Sequence, residues 1–79
     1  MDSCTEIMDE IERQAKLLVE QHKLPYGVDL GTGVIETLRE GFGFKGPGRL
    51  GQIMCTCGAL EVFEMPGVYV RVRALKTSS

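Results

Sequence analysis

Apolar residues recur at steps of three and four along the first twenty-two positions, and charged residues fill most positions between them. The apolar stripe consists of Cys4, Ile7, Met8, Ile11, Ala15, Leu18, Val19 and His22. This spacing is that of an α-helix with one buried side. Ser3 and Glu6 have the spacing of a capping box, and Pro25 pushes Leu24 out of the helical region. The pattern predicts a long amphipathic helix that ends near Lys23.

The last third of the chain, from Leu60 to Leu75, alternates β-branched and aromatic residues with polar ones on either side of Pro66-Gly67. Proline and glycine are turn formers, so the pattern predicts a β-hairpin. The predicted pairs are Met65 with Val68, Phe63 with Val70, and Glu61 with Val72. In this register the face that packs on the core carries Met65, Phe63, Val68, Val70, Val72 and Ala74. The exposed face carries Leu60, Val62, Glu64, Tyr69, Arg71 and Arg73.

The middle of the chain contains weaker signals. Residues 24–27 read as a turn, residues 33–40 as a short second helix, and Gly41 as the glycine that ends it. Residues 41–51 hold five glycines and are expected to be irregular, and residues 52–57 read as a strand that leads into the hairpin. The expected fold is one α+β domain over residues 1–79, in which both helices pack on a small antiparallel meander. If residues 50–62 were helical instead, the order would be that of a winged helix.

The composition is that of a small globular protein, with 79 residues, 43% hydrophobic and 25% charged. A domain of this length buries little, so a partner subunit is expected to complete the core, most simply as a homodimer. The net charge is −2, and residues 1–22 hold six acids and two bases. No run approaches the roughly 20 apolar residues of a membrane span, and three cysteines fit a reduced compartment. These features predict a cytoplasmic protein without a membrane partner.

Few residues suggest chemistry. Residues 41–46 match the G-x-G-x-x-G pattern, but they follow a helix and precede Pro47-Gly48, so no phosphate-binding helix N-terminus is expected. Cys55 and Cys57 allow an alternative zinc or redox protein, although they lack the C-x-x-C spacing of redox sites. Cys4 and His22 cannot both complete a zinc site, because a helix holds them roughly 27 Å apart. The paired carboxylates lie on a solvated helix face, and neither an enzymatic activity nor a cofactor is expected.

Tyr69, Arg71 and Arg73 alternate onto one strand face, as in proteins that stack bases and bind phosphates. Glu61 and Glu64 are spaced to pair with these arginines, which weakens the nucleic-acid alternative. Leu60 and Val62 on the same face give the mixture of apolar residues and arginine that is typical of protein interfaces. Phe42 and Phe44, in the glycine-rich segment, either complete the core or act as exposed anchors for a partner.

The sequence therefore predicts a non-enzymatic protein-binding module, an inhibitor or regulator that occupies a surface of a larger protein. The predicted binding residues are Phe42, Phe44, Leu60, Val62, Tyr69, Arg71 and Arg73. In size and acidity the chain is similar to small phage-encoded inhibitors of bacterial defence or host machinery, although no motif carries that similarity. The alternatives are a winged-helix-like nucleic-acid-binding regulator and a zinc or redox protein that uses Cys55 and Cys57.

Overall fold

The structure, a computed structural model, describes residues 3–42, 51–56 and 58–76. These residues form helices α1 (Ser3–Glu20) and α2 (Thr32–Phe42) and strands β1 (Lys23–Gly31), β2 (Gln52–Cys55), β3 (Gly58–Met65) and β4 (Val70–Lys76). The strands make one mixed sheet in the order β2-β3-β1-β4. The predicted α+β class, with a long first helix, is confirmed.

The sheet differs from the predicted meander, because β1 lies between β3 and β4. β1 runs parallel to β3 and antiparallel to β4, so Val72 pairs with Val28 and not with Glu61. Residues 66–69 therefore do not form a tight turn. They cross the end of β1, where the Gly31 amide donates to the carbonyl oxygen of Tyr69 over 2.8 Å. The predicted hairpin is wrong. Its absence agrees with the backbone twist of a Pro-Gly type II turn, which does not match the twist of two strands joined by a tight turn.

Residues 24–27 belong to β1, so the predicted turn is also wrong. The strand accommodates Pro25 because its pairing with β4 is irregular between Pro25 and Gly27, and its pairing with β3 begins only at Gly27. At the other end of β1, a side chain on Gly31 would overlap the carbonyl oxygen of Gly67 and lie 2.6 Å from the amide nitrogen of Tyr69. Glycine at this position allows the 66–69 connection to cross.

Both helices bury the apolar sides that the sequence predicts, except at the end of the α1 stripe. Val19 is 50% exposed there, and His22 lies beyond the helix and is exposed. α1 ends at Glu20, three residues before the predicted limit, and His22 has a positive φ of 60° where the chain reverses into β1. α2 is longer than predicted and includes Gly41, which was expected to follow it. A Cβ on Gly41 would lie 2.6 Å from the Cβ of Cys4, so this glycine permits close contact between the helices.

The core lies between the helices and one face of the sheet. It contains Cys4, Ile11 and Ala15 from α1, Val34 and Leu38 from α2, and Val28, Leu30, Ile53, Leu60 and Val72 from the sheet. Since side chains alternate along a strand, these sheet residues all point to the same side. In the part of the chain that the structure describes, neither helix packs on the other side.

Two polar side chains of α1 tie the helix to opposite edges of the sheet. Glu12 accepts hydrogen bonds from the amide (2.9 Å) and the hydroxyl (2.6 Å) of Thr56, beyond the end of β2. Gln14 donates to the carbonyl oxygen of Val70 (3.1 Å) and accepts from the amide of Val72 (2.8 Å). α1 is thereby fixed across the sheet, and Gln14 occupies backbone groups that edge strand β4 would otherwise present to solvent.

The alternative winged-helix layout is not observed, because residues 52–55 and 58–65 are strands. Of the predicted irregular segment, residues 43–50 lie outside the described part of the chain. Neither described helix is long and apolar enough to cross a membrane.

Candidate protein-binding face

The side of the sheet opposite the helices is called the open face. Val28 and Leu30 point into the core, so Asp29 between them points to the open face, together with its cross-strand neighbours Phe63 and Arg71. The same alternation places further residues of β2, β3 and β4 there. The open face carries Leu24, Tyr26, Asp29, Met54, Glu61, Phe63, Arg71, Arg73 and Leu75.

An arginine network lies at the centre of the open face. The Nε of Arg73 donates to Oδ1 of Asp29 over 2.6 Å, and the Arg73 guanidinium lies 4.1 Å from the ring centroid of Phe63. Asp29 is nearly buried, while Arg73 keeps about a third of its side chain exposed (36%). This combination of an ion pair and a cation–π contact holds the guanidinium in one position.

Two neighbours complete this network. Burial alone would lower the pKa of Arg73, but hydrogen bonding and charge attraction from Asp29, together with Tyr26, hold that pKa above its usual value. Gly27 makes room for the Phe63 ring, since a Cβ on Gly27 would lie 2.5 Å from Cε2 of that ring. The irregularity in β1 between Pro25 and Gly27 lies at Tyr26, beside Arg73.

Two charged residues of the open face, Arg71 and Glu61, lie outside this arginine network. Arg71 stands beside Asp29 on β4, and Glu61 stands beside Gly27 on β3. Both side chains are exposed, and neither forms a hydrogen bond or ion pair with a described residue. β4 therefore offers a free cation and β3 a free anion on the same surface.

An apolar belt crosses the open face at the end where β1 begins. It consists of Leu24 (56% exposed), Tyr26 (38%), Met54 (70%) and Leu75 (57%). Leu24 and Leu75 are cross-strand partners, and Met54 pairs with Ala59 across the β2–β3 ladder. Exposed apolar residues gathered in this way, beside charged ones, mark surfaces that bind partners.

Only some of the predicted binding residues lie on the open face. Arg71 and Arg73 lie on the open face as expected, but Arg73 pairs with Asp29 rather than with Glu61 or Glu64, because β1 intervenes. Leu60 is fully buried and Val62 packs against the core, so their predicted exposure is wrong. Residues 66–69 cross the end of β1 instead of forming a hairpin. As a result, the two faces of β3 are exchanged relative to the prediction, and Phe63 points to the open face.

The other predicted residues are not part of this face. Tyr69 is partly exposed in the 66–69 connection at the opposite end of the sheet, where its carbonyl oxygen binds Gly31. The backbone of Phe42 ends α2, while its side chain, and all of Phe44, lie outside what the structure describes. The binding roles of these residues stay predictions.

Cys55 is a half-buried free thiol at the end of β2, and Cys57 lies outside the described residues. Among the described residues, no three His, Cys, Asp or Glu side chains are grouped closely enough to hold a metal ion.

Sequence reasoning missed six residues of the open face, namely Leu24, Tyr26, Asp29, Met54, Phe63 and Leu75. For Asp29 a signal was present, because an acid between Val28 and Leu30 fits a half-buried strand better than a loop. Recognising it required β1 to be identified as a strand despite Pro25.

No protein-family model, curated protein or solved structure matched this chain.

Proposed function

We propose that this chain is a non-enzymatic protein-binding module and that the open face is its contact surface. The observation that carries the proposal is the apolar belt beside the arginine network on a side of the sheet that neither described helix covers. Tyrosine, methionine and arginine are enriched at protein interfaces, and a guanidinium that is already ordered loses little entropy on binding. The proposed role is that of an inhibitor or regulator that occupies a surface of a larger protein.

The charges of the open face favour a protein over a polyanion. Arg71 and Arg73 are matched by Asp29 and Glu61 on the same face, and the whole chain is net acidic at −2. Binding to nucleic acid draws most of its affinity from unopposed positive charge. A balanced face gains instead from complementary charges on a protein partner, which set specificity.

The proposal is tested with a photo-crosslinking residue in place of Leu75, and with the same residue in place of Leu17 as the matched control. Leu17 has a similar exposure on α1 (44%), away from the open face. After irradiation in the native host cell, mass spectrometry should identify a discrete adduct with a protein other than this chain from position 75, and this adduct should be absent from position 17. Adducts of the same proteins in equal yield from both positions, or from position 17 alone, would contradict the assignment of the open face.

A second candidate function is binding of single-stranded nucleic acid. The observation in its favour is that two aromatic residues, Tyr26 and Phe63, share the open face with the free cation Arg71, and such surfaces stack bases. This function predicts an affinity for oligonucleotides that falls steeply with salt. Arg71→Ala should then reduce the slope of log affinity against log salt concentration by about one. A salt-independent result, or no binding, removes this candidate.

A further inference from the structure

We infer that the open face is occupied, in the free protein, by a second copy of this chain packed face to face about a two-fold axis parallel to β1. The inference rests on the proposed function, because both require the open face to bind protein. It specifies the partner, the axis and the contacts. A larger partner at the same face would have to displace the second copy.

The positions of the charges select this axis. β1 lies between β3, which carries Glu61, and β4, which carries Arg71 and Arg73. A two-fold axis above β1 and parallel to it exchanges the two flanks, so that β3 of each copy lies across β4 of the other. Glu61, which is level with Gly27 and Arg73, then lies opposite Arg73 of the second copy. Arg71 lies two residues further along the same strand, opposite Phe63 of the second copy, and the same contacts form twice. The face is therefore complementary in charge to itself.

The apolar belt selects the same axis independently. Rotation about an axis parallel to the strands keeps each row of residues at its own level, so Leu24 lies opposite Leu24 of the second copy and Leu75 lies opposite Ala59. Met54, on β2, lies beyond the partner's β4. An axis perpendicular to the strands, centred at Val28, would instead bring Arg71 against Arg73 and set the belt over the opposite end of the sheet. Only the parallel axis matches apolar with apolar and acid with base.

The overlapping area sets the expected strength of the dimer. About this axis β3, β1 and β4 overlap with the second copy, while β2 lies beyond the partner's β4. Three strands at about 4.8 Å spacing, and about 20 Å of strand length, give roughly 290 Å² in projection. The accessible surface of projecting side chains exceeds this projection, which brings the total for two copies to about 700–900 Å². That is the size of a weak, transient interface, so a dissociation constant of tens to hundreds of micromolar is expected.

The test is sedimentation equilibrium of the full chain across a dilution series from about 1 to 500 μM. The wild type should move from one copy (8.7 kDa) to twice that mass and no further. Glu61→Arg and Arg71→Glu should each weaken the dimer by at least about tenfold. The first places a cation opposite Arg73 twice, and the second places an anion two residues along the strand from the level of Glu61 twice. Neither side chain bonds a described residue, so both variants should keep the wild-type circular dichroism spectrum.

An equimolar mixture of the two charge variants gives the most specific readout. In the mixed dimer, one side places an arginine at position 61 and a glutamate at position 71 two residues apart along the strand, and the other side keeps the native charges. Dimerisation should therefore return to within a few-fold of wild type in the mixture only. Leu75→Lys should also dissociate the dimer, while Leu17→Lys on α1 should not.

A monomer at all concentrations would overturn the inference, as would a dimer that tolerates Glu61→Arg, Arg71→Glu and Leu75→Lys. Failure of the charge-variant mixture to recover, with each variant folded, would overturn the proposed axis. None of these results bears on the crosslinks of position 75 to another protein, so the inference and the proposed function fail separately.

Discussion

Gly31→Ala is the substitution that most sharply tests the order of the strands. The 66–69 connection crosses the end of β1 at this glycine, so an added Cβ would overlap the carbonyl oxygen of Gly67. It would also lie 2.6 Å from the nitrogen of Tyr69 and 2.7 Å from the carbonyl carbon of Gly67. All of these atoms belong to the backbone, so no side-chain rotation can relieve the contact.

The magnitude follows from two contributions. Forcing an extra carbon into a packed site costs about 1–3 kcal/mol. Displacing the connection also weakens the hydrogen bonds from the Gly31 amide to Tyr69 (2.8 Å) and from the Gly33 amide to Gly67 (3.3 Å). Each is worth about 1 kcal/mol, so the free energy of unfolding should fall by about 3–5 kcal/mol. That is a large part of the roughly 5–15 kcal/mol typical of a folded domain.

The assay is urea unfolding followed by circular dichroism at one fixed protein concentration, because self-association makes stability concentration-dependent. Gly33→Ala is the matched control. At Gly33 the nearest atom to an added Cβ is 3.6 Å away, and alanine favours a helix over glycine by up to about 1 kcal/mol. The control should be neutral or stabilising. If Gly31→Ala unfolded at the wild-type midpoint, the connection would not cross β1 and the strand order would be incorrect.

Two further predictions concern α1. Gln14→Ala should lower the free energy of unfolding by about 1–2 kcal/mol, because it removes the hydrogen bonds to the carbonyl of Val70 and the amide of Val72. It should also increase aggregation, since these groups of edge strand β4 become exposed. A folded variant that aggregates no more than the wild type, as measured by light scattering, would contradict this prediction. The hydrogen bonds from Thr56 lower the pKa of Glu12 below 4.5, so the stability they supply is present above about pH 4.5 and is lost as pH falls through the lower folded value. In the Glu12→Gln variant, the free energy of unfolding should therefore decrease less steeply with falling pH in the acid range than it does in the wild type. The same decrease in both proteins would show that this contact contributes nothing.

The helices were predictable because their signals are local. α1 shows its stripe over five turns, and α2 is recognised from Val34 and Leu38 between plausible ends. The facing of Arg71 and Arg73 was also correct, because alternation within β4 does not depend on which strand is its neighbour. Predictions that rest on a single element's own pattern were the ones that agreed with the structure.

The strand order was not predictable by the same reasoning. Pro25 and Gly27 are turn-forming residues, and only pairing with distant β3 and β4 makes their segment a strand. Once β1 was missed, Pro66-Gly67 was the obvious hairpin turn. The assumed pairing of β3 with β4 then placed Phe63 in the core and Leu60 outside. Both assignments are reversed in the structure, because β3 pairs with β1 and β2 and not with β4.

The most direct test of the account is a ¹⁵N NMR dilution series of the wild-type chain, from about 1 mM to 10 μM. If the open face is the binding surface, the amides that change with concentration should belong to Tyr26, Glu61, Phe63, Arg71 and Leu75 and their neighbours. Amides on the outer side of α1, such as those of Leu17 and Val19, should stay at constant positions. Changes concentrated on α1, with the open face unaffected throughout the series, would contradict the claim that two copies of the chain meet through this side of the sheet.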